Sequence, residues 1–125
     1  MQALGRHLLC EYTGCDRELL NAPEHIRTAL QAAVVRAGAT PLHEVVHAFS
    51  PHGVTGVIVI AESHFAIHTW PEYGFAAVDL FTCGETVDPY LAFESLRDAL
   101  RAQQHSVVEV RRGLSIAPRP HKPRP

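Results

Sequence analysis

The chain has few cysteines, no long apolar run and no excess of either charge, and each shortage removes a class of protein. Cys10, Cys15 and Cys83 are the only three cysteines in 125 residues. So sparse and odd a set does not build the disulfide framework of a small secreted domain, and it fits a reducing compartment. The longest apolar run, Val57 to Ala61, is too short to span a bilayer, and Met1 to Leu9 lacks the apolar core of a secretory signal. A cytoplasmic protein is the expectation, with no membrane partner. A formal net charge of −2 gives no electrostatic pull toward nucleic acid, which leaves a small molecule as the natural ligand.

What the chain does have is enough apolar content for one core: 46% hydrophobic against 19% charged residues is the balance of a folded domain. A single domain over residues 1–116 is expected. Arg6 to Tyr12 reads as a strand ending at the turn formers Thr13-Gly14-Cys15-Asp16. Asn21 is placed to cap a helix whose apolar face is Ile26, Leu30, Ala33 and Ala37 and whose end is Gly38. From Pro41 to Thr82 the pattern predicts three or four antiparallel strands, among them Val57–Ile60, His64–Trp70 and Ala76–Thr82. Asp88-Pro89 opens a second helix striped by Ala92, Phe93, Leu96, Ala99 and Leu100, and Ser106 to Val110 is a last strand. Ala117 to Pro125, with four prolines among basic residues, is expected to be a disordered tail.

These elements imply an α/β (α+β) fold, a two-layer sandwich in which a mainly antiparallel sheet carries two helices on one face. The other sheet face needs cover in so small a chain, so a homodimer is expected.

The densest chemistry lies in Ala61-Glu62-Ser63-His64-Phe65-Ala66-Ile67-His68-Thr69-Trp70-Pro71-Glu72-Tyr73-Gly74 and Asp79-Leu80-Phe81-Thr82-Cys83-Gly84. With Leu4-Gly5-Arg6-His7-Leu8, Cys15-Asp16-Arg17-Glu18 and Pro51-His52-Gly53-Val54, these runs resemble the short bacterial and archaeal S-adenosylmethionine decarboxylase proenzymes. The likeness extends from Leu4 to about Gly113 in the family's order and spacing.

The chemistry itself explains the residue types. Decarboxylating an amino acid leaves a carbanion, which needs an electron sink such as a Schiff base on a cofactor carbonyl. No unmodified side chain offers that carbonyl. A serine supplies it when its hydroxyl attacks the preceding peptide carbonyl, the ester eliminates, and the dehydroalanine hydrolyses to a pyruvoyl group.

The resemblance makes Ser63 that serine, with cleavage between Glu62 and Ser63 into chains 1–62 and 63–125, and a pyruvoyl group as the cofactor. It implies His68 as the proton acceptor in processing and Thr55, where the family usually has serine, as support for the oxyanion. It implies Cys83 as the proton donor to the decarboxylated substrate, a role that suits a thiol, whose ordinary pKa lies near 8.5. Phe49, Ile60, Trp70 and Glu72 are the implied substrate contacts, Glu72 toward ribose hydroxyls. The implied reaction converts S-adenosylmethionine to its decarboxylated form and carbon dioxide, for spermidine and polyamine synthesis. Arginine or ornithine as substrate, and a non-enzymatic binding protein on the same fold, are the alternatives.

Without the motif, Ser63 reads as a turn residue, His68 as a hydrogen-bonded strand histidine, Cys83 as a small buried apolar residue, and Phe49 and Trp70 as core packing. One competing motif is literal: His43-Glu44-Val45-Val46-His47 matches the zinc-protease pattern. That chemistry needs a helix, where four residues advance about 6 Å. On a strand they advance about 13 Å, too far for two bonds to one zinc. Pro41 just before the motif and the turn formers Ser50 to Gly53 after it predict a strand, and no metal site.

Overall fold

The computed structural model describes residues 3–114 and 116; the tail from Ala117 lies outside them. Alternating burial makes the first element a strand, β1 (Gly5–Thr13), which hides Leu8, Cys10 and Tyr12 and exposes Leu9 and Glu11. Asp16 then accepts the Leu19 N–H at 3.1 Å and caps a single-turn helix, α1 (Arg17–Leu20). That turn is absent from the sequence-based expectation, and it corrects the role of Asn21. Asn21 closes α1, and its Oδ1 accepts the Gly53 N–H at 2.9 Å. The long helix α2 (Pro23–Ala37) starts from Ala22 with no side-chain cap and Pro23 at its first turn. Gly38, at φ 78°, ends it in the left-handed conformation that glycine adopts without penalty.

Four strands follow in the central stretch: β2 (Pro41–Ala48), β3 (Val54–Ile60), β4 (Ser63–Trp70) and, after a 3-10 turn at Pro71–Tyr73, β5 (Phe75–Cys83). Asp88 caps α3 (Pro89–Leu100) by accepting the Tyr90 N–H at 3.0 Å, and β6 (Gln104–Arg112) completes the fold. β6 outruns its expected bounds because the whole of β1 pairs with it, from Gly5 opposite Arg112 to Thr13 opposite Gln104.

The six strands form one sheet in the order β2-β3-β4-β5-β1-β6, with every neighbouring pair antiparallel. α2 crosses β2 and β3, α3 lies against β5 and β1, and the two helices pack together. The core sits between the layers, where Ile26, Leu30 and Leu96 meet Leu8, Ile58, Phe65 and Leu80. The expected two-layer α+β sandwich is what forms. His43 and His47 lie on β2, as expected, so they stand about 13 Å apart. Among the described residues no helix is long and apolar enough to cross a membrane.

Gly56 shows how tightly the layers meet. It lies on β3 beneath α2, where an added Cβ would come within 2.7 Å of Leu30 Cδ1, and Leu30 is itself fully packed. Gly56→Ala is expected to lower stability by about 1–3 kcal/mol, as overpacking does, measured as the urea denaturation midpoint. An unchanged midpoint would contradict this packing.

Candidate active site

β3 and β4 are joined by a two-residue turn, Ala61-Glu62, with Ile60 paired to Ser63. Hairpins this tight normally place positive φ on the turn residues, hence their preference for glycine and asparagine. Ala61 and Glu62 suit that poorly. Among the described non-glycine residues only Ser63 and Arg101 have positive φ, and Arg101, at 54°, is the left-handed cap of α3. Ser63, at 143°, lies outside even that region, in territory that is almost exclusively glycine's. Such a conformation costs on the order of 1–3 kcal/mol and survives only where the surroundings enforce it.

The surroundings do enforce it. Ser63 pairs with Ile60 on one side and Thr82 on the other. The Glu62 carbonyl, on the bond before Ser63, accepts the Cys83 backbone N–H at 2.8 Å. Ala61 donates its N–H to the Thr40 carbonyl at 2.9 Å, and the Glu62 carboxylate accepts from the Thr40 N–H at 3.1 Å and hydroxyl at 3.3 Å. Ser63 Oγ lies 3.6 Å from Cys83 Sγ. A hydroxyl attacking the Glu62 carbonyl carbon would push negative charge onto an oxygen that already faces an N–H donor, the arrangement that stabilises an oxyanion.

A second group sits at the far end of the same strands. Thr55 and His68 are cross-strand partners, with Thr55 Oγ1 and His68 Nδ1 at 2.9 Å. Trp70 stacks obliquely on Phe75, with ring centroids 5.5 Å apart, and Phe49 meets His47 edge to face at 4.6 Å. Phe49 and Trp70 are both substantially exposed. Glu72, in the 3-10 turn, pairs with His52 at 2.9 Å. Ser63 and His68 are five residues apart on one strand, hence about 16 Å.

The residues singled out from sequence therefore fall into two sets. Glu62, Ser63 and Cys83 meet at one end of the sheet, while Phe49, Thr55, His68, Trp70 and Glu72 lie toward the other. Ile60 belongs to the first end but is 1% exposed, so it supports the hairpin from within the core. Sequence reasoning missed Thr40 and Thr82. The Thr82 hydroxyl is buried without a partner, directly across from Ser63; its place beside Cys83 was the available signal. Nothing in the spacing marks Thr40.

Between the two sets, the sheet face away from the helices carries an apolar patch set among His7, His43, His64 and Asp79. Val59, Val57, Leu9 and Val108 occupy it, joined by Val45 and Val110 near the edges, and most of them are exposed. His7 stacks on Phe81 at 5.1 Å, and His64 meets the same ring edge-on at 5.7 Å. Burial and the neighbouring His7 hold the His64 pKa below its usual value, partly opposed by Asp79. Asp79 stands 3.9 Å from His7 Nε2, too far for a hydrogen bond, and leaves that buried nitrogen without one.

Known proteins share this arrangement of sequence and fold. The family profile described as S-adenosylmethionine decarboxylase matches residues 6–113. The S-adenosylmethionine decarboxylase proenzyme of Thermotoga maritima is 54% identical over 113 residues, covering 90% of this chain and 87% of the relative. The proenzyme of the same name from Caldicellulosiruptor saccharolyticus is 50% identical over 118 residues, covering 94% and 95%. The crystal structure of the adenosylmethionine decarboxylase from Aquifex aeolicus superposes with a TM-score of 0.87 at 35% identity, covering 97% of this chain and all of the other.

The chain belongs to the S-adenosylmethionine decarboxylase family.

The three cysteines of this family member differ sharply in environment, and none is in a disulfide. Burial pushes the Cys10 thiol up to about 12, with the Asp79 carboxylate adding to it, and burial pushes Cys15 up to about 11. Both are therefore inert thiols at pH 8, whereas Cys83 is only half-buried beside Ser63. Brief iodoacetamide treatment at pH 8 is expected to modify Cys83 first, read by peptide mapping. Labelling of Cys10 or Cys15 at the same rate would contradict these environments.

Proposed function

We propose that this chain is a self-processing, pyruvoyl-dependent carboxy-lyase that converts S-adenosylmethionine to decarboxylated S-adenosylmethionine and carbon dioxide, the aminopropyl donor for spermidine synthesis in the cytoplasm. One domain, residues 1–116, is cut into chains 1–62 and 63–125. The observation that carries the reading is Ser63 at φ 143°, next to a Glu62 carbonyl already held by the Cys83 N–H.

Self-cleavage follows from this chain's own groups. Ser63 Oγ attacks the Glu62 carbonyl carbon, the Cys83 N–H stabilises the oxyanion, and the C–N bond breaks to leave an ester and a free Ser63 amine. His68 of a second copy takes the Ser63 α-proton, the ester C–O bond breaks, and Glu62 leaves as a carboxylate. The dehydroalanine left at residue 63 hydrolyses, releasing ammonia and leaving a pyruvoyl group. Bound to the substrate nitrogen, that carbonyl supplies the electron sink for losing carbon dioxide. The site fits this group, since Ser63 is held between Thr82 and the Cys83 thiol, which stands ready to return a proton to the substrate. Thr55, whose Oγ1 lies 2.9 Å from His68 Nδ1, comes with that histidine and adds its hydroxyl as support for the oxyanion. The faces of Phe49 and Trp70 suit an adenine ring and a sulfonium cation, and Glu72 takes the ribose hydroxyls.

The reading includes a homodimer of cut protomers. Two observations support it. The exposed apolar patch on the sheet face is of the kind that self-complementary interfaces cover. The distance from Ser63 to His68 leaves His68 unable to serve the serine of its own copy, so a second copy, stacked face to face, brings its His68 end over this Ser63 end. Arginine or ornithine as substrate, or a non-catalytic binding role, fits less well with relatives 50% and 54% identical that are named S-adenosylmethionine decarboxylase proenzymes.

Fresh protein is expected to resolve by intact mass into Met1–Glu62 and an N-terminally blocked Ser63–Pro125, and to release carbon dioxide from carboxyl-labelled S-adenosylmethionine and from neither arginine nor ornithine. Ser63→Ala should do neither. A wild-type chain that stays full length through long incubation would reject the proposal.

A further inference from the structure

Thr40, in the short link between α2 and β2, spends all three of its polar groups on the two turn residues of the cleavage hairpin. Its carbonyl takes the Ala61 N–H at 2.9 Å, its N–H goes to Glu62 Oε1 at 3.1 Å, and its hydroxyl goes to Glu62 Oε2 at 3.3 Å. The link is itself anchored on both sides. Ala39 donates its N–H to Val34 at the end of α2 at 3.0 Å, and Pro41 pairs with Ile60 at the start of β2. Glu62 is therefore gripped from two directions: by Thr40 at its carboxylate and by the Cys83 N–H at its carbonyl, 2.8 Å away.

The turn needs such a grip. Ala61-Glu62 carries neither glycine nor asparagine, and neither residue takes the positive φ that a two-residue hairpin turn favours. The unfavourable conformation falls on Ser63 instead, at φ 143°. A free turn would relax by reorienting the Glu62 peptide, carrying its carbonyl away from the Cys83 N–H. With the carboxylate fixed to a rigid helix end, that rotation is blocked.

We infer that Thr40 is a positioning residue for self-cleavage, locking Glu62 through its side chain so that the carbonyl carbon stays presented to Ser63 Oγ. This rests on the self-cleavage reading above. Thr40 touches neither the attacking oxygen nor the carbonyl; it acts only through Glu62.

The test follows the time course of cutting in full-length chain made by cell-free synthesis, read by intact mass, with thermal midpoints recorded for each variant. Thr40→Val, which loses only the hydroxyl donor, is expected to cut roughly three- to ten-fold more slowly, the factor that one ordinary solvent-exposed hydrogen bond carries. Thr40→Ser should cut at close to the wild-type rate. Glu62→Ala should also slow cutting, and adding Thr40→Val to it should slow it no further, because the two groups act as one contact. Hydroxylamine, which cleaves the ester, should release no extra fragment from slow Thr40→Val chains, since the delay lies before the ester forms.

A wild-type chain that cuts while Thr40→Val cuts equally fast would overturn the inference and leave self-cleavage standing. Strictly additive slowing of Thr40→Val and Glu62→Ala would overturn it too. A wild-type chain that never cuts would remove both.

Discussion

A β-strand advances about 3.3 Å per residue and fixes what lies beside it, and β4 holds Ser63 and His68 to that rule. Its ladders to β3 and β5 run unbroken from Ser63 to His68, so no local bend brings the two together. Everything chemical in the molecule is arranged around that separation. Ser63, the Glu62 carbonyl and the Cys83 thiol gather where β4 begins. The hydroxyl–imidazole pair of Thr55 and His68, the exposed rings of Phe49 and Trp70, and Glu72 gather where it ends. The sheet face between them, with its apolar patch, is what the proposed second copy covers, and a site divided over two ends of a strand then becomes a complete one.

The same ladders concentrate strain beside the bond proposed to be cut. Unpaired, the Ala61-Glu62 turn would adjust until Ser63 reached an ordinary extended conformation. Paired on both sides, with Glu62 held at its carbonyl and at its carboxylate, it cannot adjust, and the cost settles on Ser63. In the proposed reaction, cutting between Glu62 and Ser63 would free the constrained φ. The core under this hairpin is correspondingly firm: Ile60, Phe65 and Leu80 are fully buried against the helical layer.

Much of this was legible in the sequence because it rests on local signals. The turn formers after β1 and before β5, the Asp88-Pro89 start of α3 and the Gly38 stop of α2 each declare themselves within a few residues. Pro41 and the turn at Ser50–Gly53 sufficed to read the His43-to-His47 motif as a strand and so remove its metal geometry. Asn21 misled because a residue suited to capping one helix was used to end another, after Asp16 had nucleated the single turn of α1. Ser63, His68 and Cys83 were identifiable by family likeness, yet their division between two ends was not, since neighbours in sequence on a strand are far apart in space. Thr40 was invisible for the opposite reason: it lies 22 residues from Glu62, and only the β2–β3 ladder brings them into contact.

In the proposed dimer the serine and the base of one cutting event belong to different copies. Co-expressing a Ser63→Ala chain with a differently tagged His68→Ala chain separates the two groups completely. The account predicts that the His68→Ala chain, uncut when made alone, is cut at Glu62–Ser63 in the mixed dimer, while the Ser63→Ala chain stays whole. If the His68→Ala chain remains uncut in a purified mixed dimer, or is cut as fast when made alone, the account is contradicted.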